Sequence, residues 1–261
     1  MLSLILSSFI GCAPDVYCYP EGGASEGTEE SSIPTPSQDL EDKEPSSEPT
    51  EEQNEETTEE PTEEPQGPVV KEYYLSDAES LLYVQVFKDD SALASGFAHN
   101  HVMRAANWDG AISYSSDDLN SCYFDFIVPV SDLQVDEDAM RNYVGYGDTI
   151  SSGDRETIRG HMLASDQLNA NTHPYITFVS TECSLDDETT LRVTGEMTMV
   201  GTTKSVDLVM DFVLDGNRLY SSGRFDFTHS DFNMTPYSGF WGAVRNAEEL
   251  EIHWDMIGYE Q

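Results

Sequence analysis

The sequence predicts an all-β domain of about eight antiparallel strands with one or two short helices, preceded by a disordered acidic tail. Three observations predict it. Apolar residues alternate with period two in segment after segment between Ser80 and Met256, only one segment keeps a strong helical period, and the stretch from Glu21 to Pro68 holds almost no aliphatic residue to bury.

The chain opens MLSLILSSFIGCAPD, an apolar run from Leu2 to Ile10 followed by Gly11 and Cys12. This resembles the lipobox at which bacterial lipoproteins are cleaved before a cysteine that is then acylated. Residues 1–11 are therefore expected to be a lipoprotein-type signal peptide and Cys12 the lipidation site. No Lys or Arg precedes the run, and Phe9 stands where Leu or Val is usual; an ordinary secretory signal and a chance apolar start are the alternatives. No other run approaches the ~20 apolar residues of a membrane-spanning helix.

Residues 12–68 follow as a Glu-, Pro- and Thr-rich tether, with near-repeats such as TTEEPTEEP. Such a composition cannot offset its ordering entropy, and its reach lies between about 40 Å as a flexible coil and about 170 Å as extended polyproline. An acidic tail that captures a basic partner is the other reading. Of the 50 acids and 12 bases in the chain, 18 and 1 lie before Val69 and 32 and 11 after it, net −17 and −21. A net charge of −38 excludes nucleic acid and disfavours anionic lipid surfaces as electrostatic partners.

Residues 69–261 are long enough for one sizeable core. Expected strands lie at Ser80–Phe87, Ala111–Tyr114, Cys122–Val128, Tyr175–Ser180, Leu191–Met199, Ser205–Leu214, Gly223–His229 and Leu250–Met256. In CYFDFIV, Cys122, Phe124, Phe126 and Val128 share a face; in LRVTGEMTM, Met197 and Met199 share theirs with Leu191 and Val193. Val200-Gly201-Thr202-Thr203 and Leu214-Asp215-Gly216-Asn217 read as hairpin connections, so the last four strands form a meander. In DRETIRGHMLASDQL, Ile158, His161, Met162 and Ser165 follow a helical stripe, and a second short turn is expected near Asp136 to Tyr143. Cys122 and Cys183 both fall in the expected β-rich folded part, and either a disulfide or two buried thiols fits an extracytoplasmic domain. Strands with one apolar face bury it by closing into a barrel or by stacking as two sheets, and periodicity does not choose between these.

HPYITFVSTEC, VTGEMTMVGTTKSVDLVMDF and GRFDFTHSDFNMTP, in that order, resemble the YceI family of bacterial extracytoplasmic proteins. The closest stretch is Gly195-x-Met197-Thr198-x-x-Gly201-x-Thr203-x-x-Val206, with Met197 where the family usually has Leu; His173 stands where it commonly has Tyr. The resemblance implies an antiparallel, lipocalin-like β-barrel that holds a polyisoprenoid or similar chain. Methionines on an inward face are either gap-fillers in a solid core or an adaptable tunnel wall. For a hollow barrel, the expected cavity residues are Met197, Met199, Met210 and Phe212, with Phe126, Val128, Phe225 and Trp254.

A second class of function rests on His99 and His101, which share a face in extended chain and could chelate a metal with His161, His229 or Asp109 as a third ligand. The resemblance places no metal there, and two loop or barrel-mouth histidines are the plainer reading. No nucleophile elbow, phosphate-cradling loop or recognisable carboxylate pair is present, so no catalytic residue is nominated and no enzyme is expected. Clusters such as Asp186-Asp187-Glu188 read as solvated turns.

The leading expectation is thus a binding protein of the bacterial cell envelope, extracytoplasmic and membrane-anchored through Cys12. It would carry an isoprenoid or acyl lipid as ligand, with no other cofactor, and a second copy as partner in a homodimer. The alternatives are a metal-binding protein or metal-dependent enzyme, and a surface lipoprotein with a filled barrel.

Overall fold

The structure, a computed structural model, describes residues 69–115, 117–118 and 122–261. Residues 1–68, with the expected signal peptide, Cys12 and the expected acidic tether, lie outside the described residues. The strands are β1 (Lys71–Leu75), β2 (Leu81–Lys88), β3 (His101–Ala105), β4 (Asp109–Tyr114), β5 (Tyr123–Pro129), β6 (Leu133–Val135), β7 (Tyr175–Leu185), β8 (Thr190–Met199), β9 (Thr202–Asp215), β10 (Arg218–Thr228), β11 (Ser238–Gly239) and β12 (Val244–Glu260). Two helices, α1 (Asp138–Tyr143) and α2 (Ser152–Leu163), lie between β6 and β7.

Pairing is antiparallel throughout, and the ring closes because β12 holds β10 along one edge and both β1 and β2 along the other. β1 and β2 form one broken stave, as do β3 with β4 and β5 with β6, since β1 pairs β4, β2 pairs β3, β4 pairs β5 and β3 pairs β6. The result is an up-and-down barrel of 8 staves, the closure that leaves no open sheet edge. The break between β1 and β2 is bridged by β12: the Ser76 N–H donates to Ile257 O at 2.8 Å, and Ser80 Oγ accepts from the Ile257 N–H at 2.9 Å.

Alternation decides the faces. In β8, Leu191, Val193, Met197 and Met199 are buried while Arg192 and Glu196 are exposed; in β12, Leu250, Ile252, Trp254 and Met256 point in. The half of the barrel towards the β9–β10 turn is packed solid, with Tyr114 and Phe212 rings 4.8 Å apart and Phe124 and Phe178 rings 5.4 Å apart. A disulfide joins Cys122 to Cys183 across a sequence separation of 61, with 6.0 Å between the Cα atoms.

Two motif glycines are required by this packing. Gly201 and Val200 are the central pair of the β8–β9 hairpin, both with positive φ (70° and 50°), the type I′ pattern whose twist suits the flanking strands. A Cβ on Gly201 would lie 2.5 Å from the His173 ring, so glycine is needed there for space as well as for backbone conformation. Val200, a β-branched residue in the left-handed region, is a point of strain of about 1–3 kcal/mol. At Gly195 a Cβ would meet Phe178 Cζ at 2.4 Å, so the ring lies in a notch of the neighbouring strand.

The structure adds four strands that alternation does not reveal, the two-residue β11 among them. β3, HVMRA, buries the adjacent residues Val102 and Met103, because Val102 packs outward with Tyr83 and Met140 of α1 while Met103 points into the barrel. Both faces are covered, so no period-two pattern shows. β1 and β6 are too short, at 5 and 3 residues, to carry a pattern. The β9–β10 turn is centred on Gly216 and Asn217, since Asp215 pairs with Arg218, and not on Asp215-Gly216. α2 ends at Leu163, short of Ser165 and Leu168, with Ala164 in extended conformation. Among the described residues no helix is long and apolar enough to cross a membrane.

Candidate functional site

The opposite half of the barrel is hollow. Its floor and walls follow from register: His101 pairs with Val86, Val86 with Leu250, and Leu250 with Phe227, so four neighbouring strands set these side chains in one row around the mouth. A cavity of about 270 Å³ opens there, walled by Val84, Val86, Met103, Leu133, Met199 and Leu250. A smaller void of about 40 Å³ lies deeper and shares Val84, Met103, Leu133, Ile176 and Met199 with it, while adding Phe126 and Val128. Met103 and Met199 therefore stand on the boundary between the open mouth and the packed interior.

α2 forms the cover. Ser151 caps it by accepting from the Asp154 N–H at 3.2 Å, and its apolar stripe places Ile158 and Met162 over the cavity. No residue of α2 is fully buried, so the helix rests on the mouth without being sunk into the core. The rest of the cover comes from the chain after α2 and the β10–β11 connection. The two meet where Gln167 Nε2 donates to Thr235 O at 3.1 Å, and α2 meets the connection where the His161 and Tyr237 rings lie 4.9 Å apart.

Two histidine rings at the mouth are held by hydrogen bonds. The His101 ring donates from Nδ1 to Asp136 Oδ2 at 2.7 Å, and the buried His229 ring donates from Nδ1 to Glu248 O at 3.0 Å. Both rings line the cavity, so with Nδ1 engaged the remaining polar atom of each is Nε2, an acceptor when the ring is neutral. Behind His101 lies a closed ionic knot. Asp136 and Arg141 side chains are 0% and 1% exposed; the Arg141 guanidinium donates to Asp136 Oδ1 at 2.7 Å, to Asn100 O at 2.8 Å and to Asp148 O at 3.0 Å. It also contacts the Asp148 carboxylate, which in turn engages His99. Burial pushes the Asp136 carboxyl up, but the His101 ring, the Val102 N–H and the Arg141 guanidinium together hold it below the ordinary range. Asp148 is held down in the same way, its burial outweighed by His99 and Arg141.

Of the residues expected in a cavity, Met199 lines both voids and Phe126 and Val128 line the deeper one. Phe225 is half buried and stacks on Phe227 with 6.0 Å between ring centres. Met197, Met210, Phe212 and Trp254 are buried in the packed part of the barrel and reach neither void. His99 and His101 engage two different carboxylates, and among the described residues no group of three His, Cys, Asp or Glu side chains could hold a metal ion. His101, His161 and His229 do border one cavity. Their meeting is a product of topology, with one on β3, one on α2 and one just after β10, and no local pattern announces it.

The chain matches the YceI-like domain over residues 85–256. No curated protein matches it. Among solved structures it is similar to Burkholderia cenocepacia BcnA, at 17% identity and a TM-score of 0.52, covering 70% of this chain and 98% of that one. It is also similar to a Campylobacter jejuni YceI protein, at 13% identity and a TM-score of 0.43, covering 61% of this chain and 84% of that one. A domain match that takes in the barrel from β2 to β12 makes this chain a member of the YceI-like family.

Proposed function

We propose that the barrel binds a long-chain amphiphile, an isoprenoid or acyl lipid, with its tail in the cavity beneath α2. The observation that carries this reading is a void of about 270 Å³ with largely apolar walls at one end of the barrel, bordered by the hydrogen-bonded rings of His101 and His229. That volume lies just under the ~300–1,000 Å³ usual for small-molecule pockets, so the closed form takes only part of a long tail. Longer chains enter if Met103 and Met199, flexible and unbranched, swing aside and join the two voids.

Burial of roughly ten methylenes contributes roughly 8 kcal/mol, while association itself costs about 4–15 kcal/mol, so short chains bind weakly and long ones are selected. At the mouth, Nε2 of His101 and of His229 is the ring atom left over, and in a neutral imidazole it accepts a hydrogen bond. The two atoms favour a head that brings a donor, such as a hydroxyl, phenol or amide. The role is binding, with no chemical step assigned. The supporting family membership is that of a barrel fold, and among the described residues lining the void there is no Asp, Glu, Ser or Cys.

Met199→Asp puts a charge on the wall shared by both voids and is expected to lower the uptake of a radiolabelled C16–C20 chain at least roughly tenfold. Near-native uptake by a variant with a native melting temperature would remove the cavity from the account. We also propose that Cys12 is acylated and tethers the barrel to the bacterial envelope through residues 12–68, which the mass of the mature N-terminus tests directly.

A further inference from the structure

Two loops rise from the cavity rim, and both carry large apolar side chains into solvent. In the β2–β3 loop Leu93 and Phe97 are 95% and 84% exposed; in the β11–β12 connection Phe240 is 82% exposed and Trp241 fully so. The loops are tied edge to edge, the Ala94 N–H donating to Ala243 O at 2.8 Å and the Asp89 N–H to Arg245 O at 2.9 Å. Each springs from cavity-lining residues, Val86 and His101 for the first, Tyr237 and Asn246 for the second.

Backbone conformation and charge set these loops apart. Phe240 and Trp241 are consecutive left-handed residues, at φ 49° and 54°, a conformation that side chains of this bulk rarely adopt and that here turns both rings away from the core. The stretches 88–100 and 237–246 carry Lys88 and Arg245 against Asp89 and Asp90, net zero in a domain of net −21. Within them the charges pair off, Arg245 Nε with Asp89 at 2.5 Å and Lys88 Nζ with Asp90 at 3.2 Å.

The geometry points to a membrane-docking surface: Leu93, Phe97, Phe240 and Trp241 insert into a lipid interface and set the cavity mouth against it. The occupant is a bilayer interface and not a protein groove partner. The side chains protrude singly from turns, the kind of Trp, Phe and Leu tips that settle at headgroup level, and the neutral patch is where an acidic domain approaches lipid with least repulsion. A tail would then pass between bilayer and barrel without crossing water. The passage rests on the lipid-binding reading, whereas the docking stands on the loops alone.

The full chain carrying Cys12→Ser, which lacks the acyl anchor, is mixed with phosphatidylcholine vesicles, with and without phosphatidylglycerol. Trp241 is the reporter, because Trp108 and Trp254 are buried. Its emission is expected to shift to the blue as the protein sediments with the vesicles. A Phe97→Ser, Phe240→Ser variant keeps Trp241 and is expected to lose the shift. It should also take up a vesicle-borne isoprenoid roughly tenfold more slowly while taking up a water-dispersed chain at the normal rate. No shift and no sedimentation in the parent protein, or a shift that appears with protein concentration alone as copies pair through Trp241, overturns the docking surface. A parent protein that docks yet takes up no chain from either source leaves the surface standing and overturns the cavity reading.

Discussion

Replacing Arg141 with Met is expected to be among the most damaging single changes in the barrel. The guanidinium is almost fully buried and is the cationic partner of a carboxylate, Asp136, that is fully buried. Removing one member of a buried pair leaves an uncompensated charge at about 3–5 kcal/mol, and at ~2–4 °C per kcal/mol for a domain of this size the melting temperature falls by about 6–20 °C. Asp148 adds less, because its side chain is 47% exposed and water replaces the lost contact.

Acid gives the test its sign. In the parent protein the folded-state carboxyl of Asp136 lies below its ordinary 3.8, so its contribution is complete above that value and is lost as pH falls through the folded value. In Arg141→Met burial acts with less opposition, protonation of Asp136 becomes favourable, and the gap between the two proteins narrows below about pH 4. Thermal melts by circular dichroism at neutral pH and near pH 4 measure both effects. An Asp136→Asn, Arg141→Met double variant, with no buried charge left, is expected to recover more than half of the loss. A single variant within about 1 kcal/mol of the parent at neutral pH, or a gap that widens in acid, would refute the reasoning.

Reduction of the Cys122–Cys183 disulfide, or Cys122→Ser with Cys183→Ser, opens a loop whose closure over a separation of 61 residues is worth about 4 kcal/mol in the chain-entropy model. The melting temperature should fall by about 8–16 °C; two titratable thiols in an unreduced Cys12→Ser, Cys18→Ser protein would contradict the pairing. Gly201→Ala adds a left-handed penalty and a Cβ contact at 2.5 Å with the His173 ring, and its loss of stability should be largely relieved by His173→Ala, as a double-mutant cycle in urea would read. A loss unchanged by His173→Ala would assign the effect to the backbone alone.

Much of the barrel was legible in the residues because one face of most staves is solvated and the other buried, which writes an alternation into the sequence. CYFDFIV, LRVTGEMTM and LEIHWDM show this directly, and their inward faces are those the alternation indicates. The pattern fails at β3, where α1 covers the outer wall over Val102, and at β1 and β6, which are too short to repeat. Cavity and core were not separable by the same means. Met199 and Met197 are both buried on one strand, two residues apart, yet only Met199 borders the void, since depth along the barrel axis depends on strand register and stagger. The approach of His101, His161 and His229 joins chain segments far apart in sequence, and the ionic knot ties Asp136 and Arg141, themselves five residues apart, to Asn100 and His101 of a distant segment. No spacing rule marks them.

The most direct test of the account is native mass spectrometry of the full chain carrying Cys12→Ser, secreted from a bacterial host and purified without detergent, followed by organic extraction of what it holds. One chain amphiphile per protein, lost in Met199→Asp, is the predicted result, and its head should carry a hydrogen-bond donor. An empty protein that also takes up no added isoprenoid or fatty chain would contradict the claim that the void beneath α2 is a lipid site.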